Sequence, residues 1–404
     1  MKLVERHIIK RTHKSYKEID ELSFKSKNLY NYANYIIRQE FIKTKKYINY
    51  NEIEKQLKNH ETYKELPAKV SQQILMVLDK NWQSFFKSIK EYVKDKSKYL
   101  GRPKLPRYKD KIKGRNILVY TIQAISKKEL KNGFIKLSGT KTKINTKQKD
   151  IKQVRIIPKN KEYILEVIYE KEENGTELNK ENFISIDLGL GNLATITSNR
   201  VKPIIINGRL LKSYNQYYNK KKACLQSYIG DKGISNRILK LTNKRNNKIT
   251  DYLHKVSRYI INLCLKNKVG TIIIGNNQKW KQEINIGSKN NQNFVNIPHS
   301  RLIQMIEYKA KLNKIECIKT EESYTSKCSF LDNESIGKHE TYLGKRTKRG
   351  LFVSKEGFRI NADVNASFNI VKKVIPDFSI KNIDKGIQGV VVHPVRINPY
   401  KLIS

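Results

Sequence analysis

The chain has 404 residues, with 82 Lys and Arg against 37 Asp and Glu, for a formal net charge of +45. A basic excess this large, spread along the whole length, implies a polyanion gripped over a wide surface, a long nucleic acid and not a membrane. No stretch approaches the roughly 18–20 apolar residues of a spanning helix, and the N-terminus lacks the apolar core of a signal peptide, so a cytoplasmic, nucleoid-associated prokaryotic protein is expected. The four cysteines, Cys224, Cys264, Cys317 and Cys328, form no C-x-x-C pair, which excludes a disulfide framework or a zinc ribbon assembled from them.

Residues 2–10 read as a strand. From about Ser15 to Tyr99 the pattern is helical: residues 29–37 make one helix, and Val70, Ile74, Leu78, Trp82, Phe85 and Ile89 recur at three- and four-residue spacing after Pro67, a plausible helix start. Tyr30, Tyr32 and Tyr35 at helical spacing fit a core better than base stacking. Residues 101–109 break the helix; Pro103 and Pro106 keep the backbone extended, while Arg102, Lys104, Arg107 and Lys109 face outward and, with Tyr108, are candidate nucleic-acid contacts. Short strands follow at 117–122, 134–137, 154–157 and 163–169, separated by turn signals such as Lys131-Asn132-Gly133. They suggest a small β-barrel or sandwich, completed by the N-terminal strand, with the helices as an insertion. Residues 172–176 form a turn or linker.

Residues 183–192 are the stretch around which the second half is organised. Four residues read as a buried strand, and Asp187 then stands inside the apolar run, where an unpaired charge is costly; Gly189 and Gly191 turn the chain, and residues 193–197 run back. Asp187 caps a turn, pairs with a buried arginine, or serves as a metal ligand on the first strand of a hairpin, as in RNase H-like nucleases. A basic helical region spans about 210–267, followed by a buried parallel strand at 269–274, a helix at about 298–313 and a strand at 314–319. This alternation predicts an α/β domain with a mixed sheet. Glu321 and Glu322 sit where the last strand ends, the edge at which open α/β sheets build their sites. Asp363 lies in or near the first turn of a helix within residues 359–370, where it either complements the helix dipole or joins such a site.

In order, Ile186-Asp187-Leu188-Gly189, an isoleucine strand leading to Asn277 and Trp280-Lys281-Gln282, then Glu321-Glu322-Ser323-Tyr324-Thr325-Ser326 and Asn361-Ala362-Asp363-Val364-Asn365 resemble the TnpB family. These are transposon-encoded RNA-guided endonucleases, similar to compact type V CRISPR effectors. The resemblance runs through the second half, including residues 297–299 and 308–310, and reaches weakly to 101–109 and 123–126. It implies a multidomain fold, α/β together with all-β and helical parts. A RuvC-type, RNase H-like mixed sheet would occupy 181–322 and 359–385, a wedge-like β-barrel 1–14 and 101–180, an inserted helical recognition lobe 15–100, and a tail 386–404. The implied partners are a guide RNA and a target DNA, in a ribonucleoprotein taken to be monomeric.

Two departures from the family stand out. Its usual Glu at the end of the second acidic strand is replaced by Gly275, and its usual zinc-ribbon cysteines between Thr325-Ser326 and Asp363 are reduced to Cys328. The insert at 323–358 is therefore expected to be metal-free, held by Phe330, Leu331, Tyr342, Leu343, Leu351, Phe352 and Phe358. Lys345, Arg346 and Arg349 would lie on its surface against single-stranded DNA.

The implied chemistry is phosphodiester hydrolysis with two Mg²⁺ or Mn²⁺ ions, held by hard carboxylate oxygens about 3.5–4 Å apart. Asp187 would bridge them, with Asp363 and a displaced Glu completing the set. Glu322 is the favoured ligand because it abuts the Ser-Tyr-Thr-Ser run; Glu321 is second. Gly275 equally motivates a cleavage-deficient RNA-guided repressor, and a strand transferase of the same fold is a further alternative.

Overall fold

The chain divides after Lys171 into two compact units, 1–171 and 172–404. The computed structural model describes residues 1–173, 175, 178–231, 233–277 and 297–401; Trp280-Lys281-Gln282 lie outside them. Among the described residues no helix is long and apolar enough to cross a membrane.

In the first unit, β1 (Lys2–Ile9) precedes α1 (Tyr16–Thr44), α2 (Tyr50–Leu57), α3 (Glu61–Lys64) and α4 (Ala68–Lys94). Pro67 is the N-cap of α4, consistent with its fixed φ suiting a helix start. Trp82 of α4 is fully buried against Phe41, Phe85, Phe86 and Tyr47, and its indole Nε1 donates to Asn34 Oδ1 at 3.1 Å. Tyr30 is buried, as core packing requires, but Tyr32 and Tyr35 are exposed.

Residues 101–109 form an extended strap pinned to α1 through its backbone. Asn34 Nδ2 and Arg38 donate to the Pro106 carbonyl, and Asn31 both donates to the Lys109 carbonyl and accepts from the Lys109 amide, all within 3.0 Å. Pro103, Leu105 and Pro106 are half-buried, whereas Arg102, Lys104, Arg107, Tyr108 and Lys109 face solvent.

β2 (Leu118–Thr121), α5 (Lys127–Lys131), β3 (Phe134–Lys136), β4 (Lys143–Asn145), β5 (Ile151–Lys159) and β6 (Glu162–Glu170) complete this unit. The expected barrel is not closed: the strands form an antiparallel sheet in the order β1-β6-β5-β2, and β3-β4 stands as a separate ribbon. Only three residues of β4 pair, too short a stretch to read from alternation.

The second unit is built on a six-stranded sheet. Its strands are β7 (Asn179–Leu188), β8 (Asn192–Ser198), β9 (Ile204–Asn207), β10 (Val269–Gly275), β11 (Glu316–Thr320) and β15 (Val395–Ile397), in the order β11-β10-β7-β8-β9-β15. β11, β10 and β7 are mutually parallel, and the β7-β8-β9 run is antiparallel. The described part of the expected tail, residues 386–401, is not free, because β15 pairs in parallel with β9. Asn179 and Lys180, assigned above to the barrel, already belong to β7.

Strand parity distributes the core. Ile184, Ile186, Ile272 and Ile274 pack with α7 (Asn236–Lys266) and α8 (His299–Leu312), while Phe183 and Ile273 pack with α9 (Ala362–Val374). A basic helix, α6 (Arg209–Ser227), precedes α7. The insert carries a small antiparallel sheet of β12 (Lys345–Lys348), β13 (Leu351–Val353) and β14 (Arg359–Ile360). Phe330 and Phe352 are buried there as expected, but Leu343 and Phe358 are exposed. A short helix, α10 (Lys385–Gln388), leads to β15.

Candidate active site

Asp187 follows Phe183 and Ser185 on the α9 face of β7, so parity alone directs its carboxylate toward the helix that carries Asp363. That helix approaches closely because a serine faces the sheet: Ser367 Oγ lies 3.0 Å from Thr197 Oγ and donates to the Ser185 and Thr195 carbonyls. Asn361 caps the helix by accepting from the Asp363 and Val364 amides, which fixes Asp363 in the first turn.

The third carboxylate comes from the turn after β11. Gly275 ends β10 in register with Thr320, two residues before Glu322. A Cβ added at Gly275 would lie 2.6 Å from Glu322 Cγ and 2.7 Å from Ile370 Cδ1, so the Glu322 side chain occupies the volume a residue at 275 would need. The turn is tied down from both sides. Asn277 Oδ1 accepts from the Glu322 amide at 2.9 Å. The wholly buried Asn365 and Asn369 of α9 donate to the carbonyls of Cys328 and Thr325, and Asn365 Oδ1 accepts from the Phe330 amide. Glu321 points elsewhere, exposed and bonded to Ser323 Oγ at 2.6 Å, with Lys373 beside it.

Asp187, Glu322 and Asp363 line one cleft of about 740 Å³, together with Asn192, Asn277, Thr325 and Ser326. Its walls carry Arg209, Lys212, Arg346, Arg349 and Arg396. Arg346 and Arg349, though exposed, line the cleft, and Arg346 lies 3.7 Å from Asp363 Oδ1, whereas Lys345 does not line it. Asn192 Nδ2 donates to Asp363 Oδ2 at 2.6 Å, and Arg396 donates to Asn192 Oδ1 at 3.2 Å. Sequence reasoning missed Arg209, Lys212, Asn192 and Arg396. Only Asn192, directly after the glycine turn, carried a local signal.

Electrostatics mark the carboxylates. Asp187 retains some solvent contact through the cleft mouth but sits deep, and burial, with Glu322 and Asp363 facing it, holds its carboxyl well above the usual range against an opposing effect of Arg346. Burial, with Glu321 nearby, raises Glu322 to about 7. Hydrogen bonding from Ser323 instead pulls Glu321 down. Opposite them, burial beside Arg349 and Arg209 lowers the Lys212 ammonium. Glu322 Oε1 is buried without a hydrogen-bond partner among the described residues. An orphaned carboxylate oxygen beside other acids suits a hard divalent cation. Among the described residues, however, no three acidic, histidine or cysteine groups already stand as a closed ligand set; the carboxylates share the cleft without converging.

Residues 166–281 match the family described as "Probable transposase" (OrfB_IS605), and residues 299–370 match "Cas12f1-like, TNB domain". Together these bracket the carboxylate cleft. The chain is similar to TnpB-like proteins. A TnpB-like protein of Methanocaldococcus jannaschii is 27% identical over 48% of this chain and 70% of that protein. A TnpB-like protein of Acidianus two-tailed virus is 24% identical over 54% of this chain and 47% of that protein. The CRISPR-associated endodeoxyribonuclease Cas12f1 of Sulfoacidibacillus thermotolerans is 34% identical over 33% of this chain and 27% of that protein; the chain thus spans less than half the length of these last two relatives. The fold of this chain is similar to that of the protein in a Cas12f1–sgRNA–target DNA complex, with a TM-score of 0.54 at 17% identity, covering 88% of this chain and 82% of that one.

Proposed function

We propose that this chain is an RNA-guided DNA endonuclease that cuts by metal-dependent phosphodiester hydrolysis, with Asp187, Glu322 and Asp363 as its ligands. The observation that carries the reading is the Glu322 carboxylate lying over Gly275 in the cleft that also holds Asp187 and Asp363. The acid missing from β10 is supplied by the turn that follows the neighbouring parallel strand, and this weighs against a cleavage-deficient repressor.

When bound, Mg²⁺ or Mn²⁺ would activate the attacking water and stabilise the leaving oxygen. The chain's own residues do the rest. Asp187, rigid in a central strand, fixes the ligand set, and Asn192 orients Asp363. The cationic wall of Arg209, Lys212, Arg349 and Arg396 attracts the phosphodiester backbone and offsets its charge. Arg346, 3.7 Å from Asp363 Oδ1, would be free to meet a phosphate if Asp363 held a cation.

The relatives' partners fit the charge of +45: a guide RNA pairing with target DNA, both held through their backbones, in a cytoplasmic ribonucleoprotein. The helical lobe, the sheet around the strap and the nuclease half would divide this work as the sequence suggests. The test is to purify the protein from its native locus, sequence the co-purifying RNA, and assay guided cleavage with Mg²⁺. Asp187→Asn and Asp363→Asn should abolish cutting while guided DNA binding stays within about threefold of the parent. Release of the protein with no discrete RNA, or undiminished cutting by either variant, overturns the proposal.

A further inference from the structure

The strap of residues 101–109 does more than display cations. It crosses the groove between α1 and α4 and divides it into two pockets that share Phe85, Pro103, Lys104 and Arg107. The first, about 540 Å³, has a floor of Phe41, Ile42, Phe85 and Ile89, with a rim of Arg38, Lys45, Arg102, Lys104 and Arg107. The second, about 360 Å³, offers the polar side chains of Asn81, Ser84 and Ser88, with Lys104, Arg107 and Lys109 at its edge. Both volumes fall in the range of roughly 300–1,000 Å³ typical of ligand sites. Every charged residue lining either pocket is cationic.

This pairing of an apolar floor with a cationic rim distinguishes an unpaired strand from a duplex. A duplex presents phosphates and sugars and keeps its base faces stacked, so the aromatic floor would gain nothing. A single strand can set a base face on Phe41 and Phe85, and base–aromatic stacking is favourable whatever the base.

We propose that the two pockets seat successive nucleotides of an unpaired polynucleotide strand. One base lies on the apolar floor, the linking phosphate sits between Lys104 and Arg107, and the next base meets Asn81, Ser84 and Ser88. The inference rests on the reading that the partner is a nucleic acid, but not on cleavage. The pockets are fixed before the strand arrives, because α1 holds the strap through the Pro106 and Lys109 backbone.

The test uses the full chain carrying Asp187→Asn, so that probe cleavage cannot interfere, with short single-stranded DNA and RNA probes containing 5-iodouracil and the matching duplex as competitor. Photocrosslinks should map to the peptides bearing Phe41 or Phe85, and the duplex should compete at least about tenfold less well than the free strand. Lys104→Ala with Arg107→Ala, both at exposed positions, should weaken strand binding and flatten its salt dependence by roughly 0.7 per lost cation. Ile89→Glu should weaken it further without a change in the salt-independent fold measured by circular dichroism. Stronger crosslinking of RNA assigns the strand to the guide, and stronger crosslinking of DNA to the target; either supports the site. Crosslinks confined to other peptides, or equal competition by duplex, overturn it. Because no outcome depends on cutting, an inactive parent protein would count against the nuclease reading alone.

Discussion

Glu322 and Gly275 share one volume: a Cβ at position 275 would come within 2.6 Å of Glu322 Cγ. A side chain at 275 and the Glu322 carboxylate in its present place are therefore alternatives. The parallel pairing of β10 and β11, with Gly275 opposite Thr320, makes the exchange geometrically short, since adjacent strands lie about 4.8 Å apart. Gly275→Ala should then displace Glu322, costing about 1–3 kcal/mol as overpacking beside Ile370 and lowering guided cleavage at least tenfold. Thermal melts and cleavage rates of the single variant against Gly275→Ala/Glu322→Ala check this. In the double variant the melting temperature should recover while cleavage stays lost; a fully active Gly275→Ala protein would refute the shared-volume account.

The two adjacent glutamates should behave oppositely. Glu322→Gln removes a cleft carboxylate and should reduce cleavage by at least about a hundredfold, the scale of losing a transition-state charge contact. Glu321→Gln breaks an exposed contact with Ser323 and Lys373 and should leave the rate within about twofold, because exposed ion pairs contribute little. Single-turnover rates at saturating Mg²⁺ separate the two. Equal loss in both would mean that the turn, not the carboxylate, matters.

How far the site was legible follows from what each residue depends on. Asp187 was readable because its departure from an apolar run and its strand parity are local properties. The strand order implied by the RNase H-like resemblance brings Glu321 and Glu322 alike to that edge, and only the match of the following Ser-Tyr-Thr-Ser run to the family favoured Glu322. Arg346 is exposed, as expected of a surface cation, but its place on the wall of the carboxylate cleft depends on tertiary contacts that no local pattern records. Arg396 was invisible because it enters through β15, which pairs with β9 nearly two hundred residues earlier; three residues of strand cannot announce so distant a partner. The barrel failed for a similar reason: every strand but β4 was expected near its place, but closure depends on edge pairings with no sequence signature.

That distant pairing carries its own expectation. Arg396 fixes the orientation of the Asn192 amide, whose Nδ2 then donates to Asp363 Oδ2. Outer-shell partners of this kind commonly contribute 10- to 100-fold to metal affinity or activity. Asn192→Ala should weaken Mn²⁺ binding, followed by electron paramagnetic resonance, by roughly tenfold, and Arg396→Ala by less, with Arg396→Lys recovering little because the forked geometry is lost. If Mn²⁺ affinity is unchanged in Asn192→Ala, the relay has no bearing on the ligand set.

Proton linkage at Glu322 gives a test that needs no nucleic acid. Its carboxyl is raised from an ordinary 4.5 to about 7 by burial, so between these values the folded state holds a proton that the unfolded chain releases. Folding stability from this group is therefore fully present below the unfolded value and is lost as pH rises through about 7. Glu322→Gln stays neutral throughout. Without divalent cations, the parent and Glu322→Gln should melt together near about pH 4.5, and the parent should fall progressively below the variant toward about pH 8. Mg²⁺ binding requires the deprotonated ligands, so the Mg²⁺-induced rise in Tm should grow across the same interval in the parent and be much smaller in Glu322→Gln. A parent whose Tm difference from Glu322→Gln does not change with pH would mean that Glu322 ionises normally in the fold. A Mg²⁺ shift of equal size in both proteins would remove Glu322 from the metal ligands.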